Sequence, residues 1–264
     1  MTAKDFLRAW TVKSTRADTA IPTLTVKVGD PEQPAHFTVH ECLIKRQSAF
    51  FEQALTGAWK ESTDRIVNLV EFSPESFAIY CYWLYSNNFW SEHFSEEPLP
   101  ANIEGPHPYD REWDLLLESF ALGDFLQDTM FKDMIIDEIT RWLTVRPTVS
   151  FRKAVELGTL IYDHTRKPAY EIREWTFCRS PRLLPIDLMT SIDWADQSSQ
   201  TERGVLESAN TDFRLDYLFA YIEPSPFRSA RARETFIRDT RYPCRYHEHW
   251  RMDTPCYKTR EPRF

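Results

Sequence analysis

The sequence predicts an α+β fold: a small three-stranded sheet packed on a helical cluster, followed by an all-helical C-terminal extension. Three observations carry this reading. Apolar and polar residues alternate over residues 23–28, 36–40 and 66–70, the period of half-buried strands. At Glu41 the period changes directly to three-and-four spacing, so a strand feeds a helix with no loop between them. From Asp110 to Ile222 the helical period recurs in segment after segment.

Residues 1–21 form an N-terminal segment, with a short helix over Lys4–Trp10 and a polar connector after it. Leu24, Val26 and Val28 then alternate inward, and Gly29-Asp30-Pro31 supplies turn chemistry before the strand at 36–40, which makes a hairpin. Leu43 and Ile44 form the buried side of a helix over 41–47. Ser48 caps a second over 48–56, where Phe51, Ala54 and Leu55 recur at three and four residues, and Gly57 suits a left-handed stop. After the strand at 66–70, Ser73 caps a helix over 74–85 with Pro74 in its first position and Phe77, Tyr80, Cys81 and Leu84 on its core face.

Residues 86–110 read as an inserted surface loop: Pro98, Pro100, Pro106 and Pro108 punctuate it, and no Lys or Arg occurs between Arg65 and Arg111. Helices over 111–126 and 129–143 follow. Trp113, Leu116, Leu117 and Phe120 line the first; the second starts at an Asp128 cap and carries Phe131, Met134, Ile135, Ile139 and Trp142. Arg146-Pro147 marks the end of a domain over 22–146. Residues 147–225 form a helical extension with helices at 151–162, 168–178, 185–195 and 212–222, separated by Pro or Ser/Gln-rich breaks, and 226–264 is a basic tail. No repeat period is present.

The totals narrow the function classes. With 264 residues, 42% of them hydrophobic, the chain can bury a core. The longest charge-free run, Ser76–Ser91, has 16 residues interrupted by Ser and Asn, too short and polar to span a bilayer. Lys4, Asp5 and Arg8 stand where a signal peptide would be apolar, so cytosol or nucleus is expected. Five cysteines, two on helical core faces, and no Asn-x-Ser/Thr acceptor argue against a disulfide framework. The net charge is −8, but residues 226–264 carry 10 basic against 5 acidic residues. Only the tail, with Arg228, Arg231, Arg233, Arg238, Arg241 and Arg245, suits contact with phosphate, and a solvated tail is the plainer reading.

Catalytic motifs are missing. The six glycines, at 29, 57, 105, 123, 158 and 204, build neither a phosphate-cradling loop nor a nucleophile elbow. Acid pairs such as Glu96-Glu97 sit among prolines as ordinary surface. The chain reads as a non-enzyme. One cluster offers metal chemistry: Cys244, His247, His249 and Cys256 are four N/S donors, the number zinc takes. Their spacing departs from the finger pattern of two histidines three to five apart, so the favoured reading has no metal and treats the block as a surface aromatic tail with incidental thiols. Zinc is the alternative.

The run His40, Leu43, Arg46, Ser48, Phe50, Phe51, with a strand ending in Val-His ahead of it, resembles the BTB/POZ family. The likeness continues through Trp59-Lys60-Glu61-Ser62 and a strand to SPESFAIYCYWLYS, and covers about residues 22–146. His40 reads as a core or helix-start histidine with a satisfied hydrogen bond rather than a catalytic one. Where the family usually places an acidic residue before its first strand this chain has Ile21-Pro22-Thr23, so the charged pocket of the family's dimers is not expected. The helical extension is similar to that of filamentous-fungal BTB proteins.

The resemblance implies a non-catalytic interaction module, an adaptor that pairs with itself or another protein. Members that deliver substrates to cullin-type ubiquitin ligases carry a hydrophobic-x-Glu triplet after the second helix, where Trp59, Lys60 and Glu61 stand. Either Trp59 enters a partner's pocket or it covers this domain's own hairpin. The alternative function is a nuclear transcriptional or chromatin regulator that assembles through the BTB part and uses the basic, zinc-binding tail. No membrane role is expected.

Overall fold

The computed structural model describes residues 22–57, 59–90, 108–145, 149–165, 180–191, 200–222, 244–249 and 256–259. The expected N-terminal segment, most of the 86–110 insertion, the helix at 168–178 and the 146–147 boundary lie outside them. The fold is α+β and mostly helical, with a three-stranded sheet.

Strands β1 (Thr23–Val28), β2 (Ala35–His40) and β3 (Ile66–Leu69) pair in the order β2-β1-β3. β1 and β2 are antiparallel, with Val26 opposite Phe37, and β3 runs parallel to β1, with Val26 opposite Val67. A parallel neighbour requires a crossover. Helices α1 (Glu41–Gln47), α2 (Ala49–Thr56) and α3 (Lys60–Asp64) make it. Leu24, Val26, Val28, Phe37, Val39, Val67 and Leu69 are buried, so the alternating pattern marks one face of the sheet. Gly29 turns the hairpin at φ 87°, left-handed backbone that glycine adopts without strain.

Ser48 caps α2 as expected: its side chain accepts from Phe51 N at 3.2 Å and donates to Leu126 O at 2.6 Å. Ser73 does the same for α4 (Pro74–Ser86), accepting from Ser76 N at 3.2 Å with Pro74 in the first turn. Gly57 departs from expectation. Its φ of −78° and ψ of 179° are extended, not left-handed. A Cβ there would lie 2.4 Å from Trp59 Cδ1, so glycine serves the close approach of the indole rather than a turn.

The chain divides into two compact units between Phe131 and Lys132, so this division falls inside a helix. In the first unit α4 packs on α5 (Pro108–Phe125), which begins three residues earlier than the spacing suggests. Asp128 caps α6 (Thr129–Val145) through Phe131 N at 3.0 Å, while its other oxygen accepts from Tyr80 and from Trp83 Nε1, each at 3.3 Å. Trp83, Trp113, Tyr80, Phe51, Phe77, Phe120 and Phe131 are fully buried.

The second unit contains α7 (Phe151–Asp163), α8 (Leu183–Ser191), α9 (Gln200–Glu207) and α10 (Thr211–Ile222). α9 corrects the expected Ser/Gln-rich break: only its start is Ser/Gln-rich, and Glu202, Arg203, Leu206 and Glu207 favour helix on both sides of Gly204. α7 and α10 meet at Gly158, where an added Cβ would stand 2.3 Å from Phe213 Cζ. Phe213 is fully buried, so its ring has no room to withdraw. Gly158→Ala should therefore destabilise by about 1–2 kcal/mol in urea denaturation, overpacking exceeding the gain in helix propensity. A more stable variant would contradict that packing. Among the described residues no helix is long and apolar enough to cross a membrane.

Candidate metal centre

The second unit brings the four donors of the C-terminal block together. One ligand atom from each of Cys244, His247, His249 and Cys256 lies within 4.8 Å of the others. The two sulfurs are 3.7 Å apart, and Cys256 Sγ is 4.0 Å from His247 Nδ1. A tetrahedral Zn²⁺ with ordinary bond lengths has S–S edges of about 3.8 Å and S–N edges of about 3.6 Å. The sulfur edge is already that length. It is also far beyond the ~2.05 Å of a disulfide, and neither cysteine is in a disulfide.

This corrects the reading of the block as solvated tail. His247 is 1% exposed, and Arg245, Tyr246 and His249 are buried with it. The cause is a set of acids on helices far away in sequence. Asp133 of α6, itself 1% exposed, accepts from Glu248 N at 2.6 Å, from His249 N at 3.2 Å and from His249 Nδ1 at 2.7 Å. One turn on, Asp137 Oδ1 stands 3.1 Å from His247 Nε2, a short contact out of line for a good hydrogen bond. Tyr257 donates to Asp137 Oδ2, and Lys258 Nζ lies 2.7 Å from the same oxygen. Burial alone pushes the Asp137 carboxyl up, but His247, Lys258 and Tyr257 outweigh it and hold it below the ordinary carboxylate range.

Further ties fix the segment. Asp187 of α8 receives Arg245 Nη2 at 3.1 Å and Tyr246 Oη at 3.0 Å. Burial pushes the Asp187 carboxyl up, opposed by Arg245 and Tyr246. Ser180 N donates to Arg245 O at 2.9 Å, and Lys132 bridges Glu248 Oε2 at 2.8 Å and His164 O at 2.9 Å. Buried charges held this way carry their own hydrogen bonds, which is the condition for their burial.

Four protein donors fill a tetrahedron and leave no open position, and two of them are buried, so the arrangement suits holding structure rather than activating water. Sequence reasoning singled out the four donors and missed Lys132, Asp133, Asp137 and Asp187. The available signal was Asp133 and Asp137, four apart on the opposite side of a helix read only for its apolar face.

The other expected residues lie in the first unit and do not join this site. His40 precedes α1 without a side-chain cap; its Nδ1 is 2.6 Å from Tyr85 Oη and its N–H donates to the same oxygen at 3.2 Å. Burial pushes the Tyr85 hydroxyl up to about 12, opposed by the His40 backbone. Leu43 is half-buried, Arg46 exposed, and Ser48 and Phe51 fully buried. Phe50, half-buried, meets Phe51 and Phe125 with ring centroids 5.2 Å and 4.8 Å away. Trp59 is 67% exposed despite its approach to Gly57, Lys60 is exposed and Glu61 half-buried. Lys60–Asp64 forms a short helix, with Ser62 Oγ donating to Trp59 O at 2.8 Å. No protein-family model matches the chain, and no curated protein matches it at a significant level.

Proposed function

We propose that this protein is a non-catalytic interaction module of BTB/POZ type whose C-terminal helical part is closed by a structural Zn²⁺. The observation that carries the interaction reading is Trp59, a large indole left 67% exposed directly after the strand-to-helix hairpin of 35–56. Exposed aromatics of this size are where partner binding concentrates. Its setting between Gly57 and a half-buried Glu61 suits insertion into an apolar pocket with a donor at the rim, as an adaptor docking on a cullin-type scaffold in the cytosol or nucleus would require.

Trp59→Ala tests this. It should weaken binding to a purified cullin-type scaffold by about 2 kcal/mol or more while changing folding stability by less than about 1 kcal/mol, as an exposed substitution does. Unchanged scaffold binding would remove the adaptor reading. A stability loss matching that of a core residue would make Trp59 a lid on its own helices.

The convergence of Cys244, His247, His249 and Cys256 favours the zinc half of the second reading, a nuclear regulator with a metal-binding tail. Its nucleic-acid half is weakened, because Arg245 and Lys258 are engaged by Asp187 and Asp137. In either reading Zn²⁺ would be held by the two thiolates and two imidazoles and would fix the 244–259 segment to the helices of the second unit.

A further inference from the structure

We infer that Asp133 and Asp137 are positioning residues for the metal centre: as a pair one helical turn apart, they set which nitrogen of each histidine faces the ion. The inference rests on the zinc reading and deepens it. A carboxylate only accepts, so a ring nitrogen held on one must carry the proton there and present its other nitrogen as the lone-pair donor. Asp133 holds His249 by Nδ1 at 2.7 Å, so Nε2 is the nitrogen an ion takes. Asp137 Oδ1 stands 3.1 Å from His247 Nε2, out of line for a good hydrogen bond, but a carboxylate that close repels a lone pair there, so the proton stays on Nε2 and Nδ1, 4.0 Å from Cys256 Sγ, is left to face the ion. The two histidines therefore ligate through opposite nitrogens.

His247 and His249 are two residues apart on an irregular segment, with ring centroids 5.2 Å apart and planes crossing at 62°. Their carboxylates rise one turn apart on a rigid helix. The two acids thus turn opposite ring nitrogens toward the common ion. The carboxylates also add negative charge behind both ligands, which strengthens imidazole as a donor and favours a divalent cation over a neutral site. Lys258, 2.7 Å from Asp137, and Lys132, paired with Glu248, moderate the charge without touching a donor.

The test uses the full chain and compares Asp133→Asn and Asp137→Asn with Asp187→Asn. Asp187 anchors the same segment through Arg245 and Tyr246 but contacts neither histidine. Zinc affinity is measured by competition with a chromophoric chelator, and Co²⁺ is used as a spectroscopic substitute. Asp133→Asn and Asp137→Asn should each lose about ten- to a hundredfold in Zn²⁺ affinity and shift the cobalt ligand-field bands, with the thiolate-to-cobalt band retained. Asp187→Asn should leave the bands in place and lose less than the roughly tenfold that marks a partner of a ligand. Asp137 makes no backbone contact in this set, so Asp137→Asn carries the test if Asp133→Asn does not fold. Wild-type affinity and bands in both aspartate variants, or an equal loss in Asp187→Asn, overturn the positioning role while leaving zinc in place. A wild-type chain that takes up neither ion overturns the zinc reading and this one with it.

Discussion

Replacing Phe51 by alanine should destabilise the first unit by about 3–5 kcal/mol, measured by chemical denaturation of the full chain. Phe51 is fully buried in the first turn of α2. Its backbone N–H is held by the Ser48 cap and its ring meets Phe50 edge-on, so neither backbone nor neighbour can collapse into the space. Ser48 is itself fixed from the far side by Leu126 O. A cavity so framed relaxes little, and the cost grows with the volume left open. Leu84, fully buried on α4, should behave alike at about 2–5 kcal/mol on truncation. Losses below about 1 kcal/mol at both positions would mean the hairpin does not rest on this core.

Removal of metal should have the second large effect. With free Zn²⁺ a thousandfold above its Kd, binding to the folded state alone contributes about 4 kcal/mol, which for a unit of this size is a melting shift on the order of 10 °C. A strong chelator should lower the melting temperature of the wild-type chain by that amount and leave Cys244→Ser almost unaffected. The same geometry reverses what the tail's composition suggests about deletion. Removing residues 226–264 takes away buried Arg245, Tyr246, His247 and His249 and strands Asp133 and Asp187 without their partners. The deletion should therefore destabilise the second unit. An unchanged melting temperature would return the segment to the surface.

Much of the first unit was legible because its signals are local. Alternation at Leu24, Val26 and Val28, the caps Ser48 and Ser73, Pro74 at a helix start and the apolar stripe Phe77, Tyr80, Cys81, Leu84 each concern residues within a turn or a strand of one another. The order of the strands is not local, and nothing in the sequence of β3 says that it pairs parallel to β1. Gly57 was misread because two uses of glycine look alike in sequence, and only the position of the Trp59 indole separates them. Gln200–Glu207 is hard to see in sequence because serine and glutamine border it and Gly204 interrupts its helical period.

The candidate site was half legible. Four donors within thirteen residues stand out by chemical type, yet their burial depends on Asp133, Asp137 and Asp187, which lie 58 to 120 residues away from their hydrogen-bond partners. A helix pattern ranks positions by hydrophobicity, so Lys132 and Asp133 read as the solvated side of α6 although both are buried. Charges buried in pairs escape any argument from periodicity, because each needs a partner that the pattern does not contain.

The measurement that bears most directly on the metal centre is zinc content by elemental analysis of the purified full-length chain, after dialysis against metal-free buffer. One zinc per chain in the wild type, and a loss to well below half in Cys244→Ser and in His247→Ala, is the result predicted by four donors within 4.8 Å of one another. A wild-type chain without zinc, or variants that keep it in full, would contradict the centre.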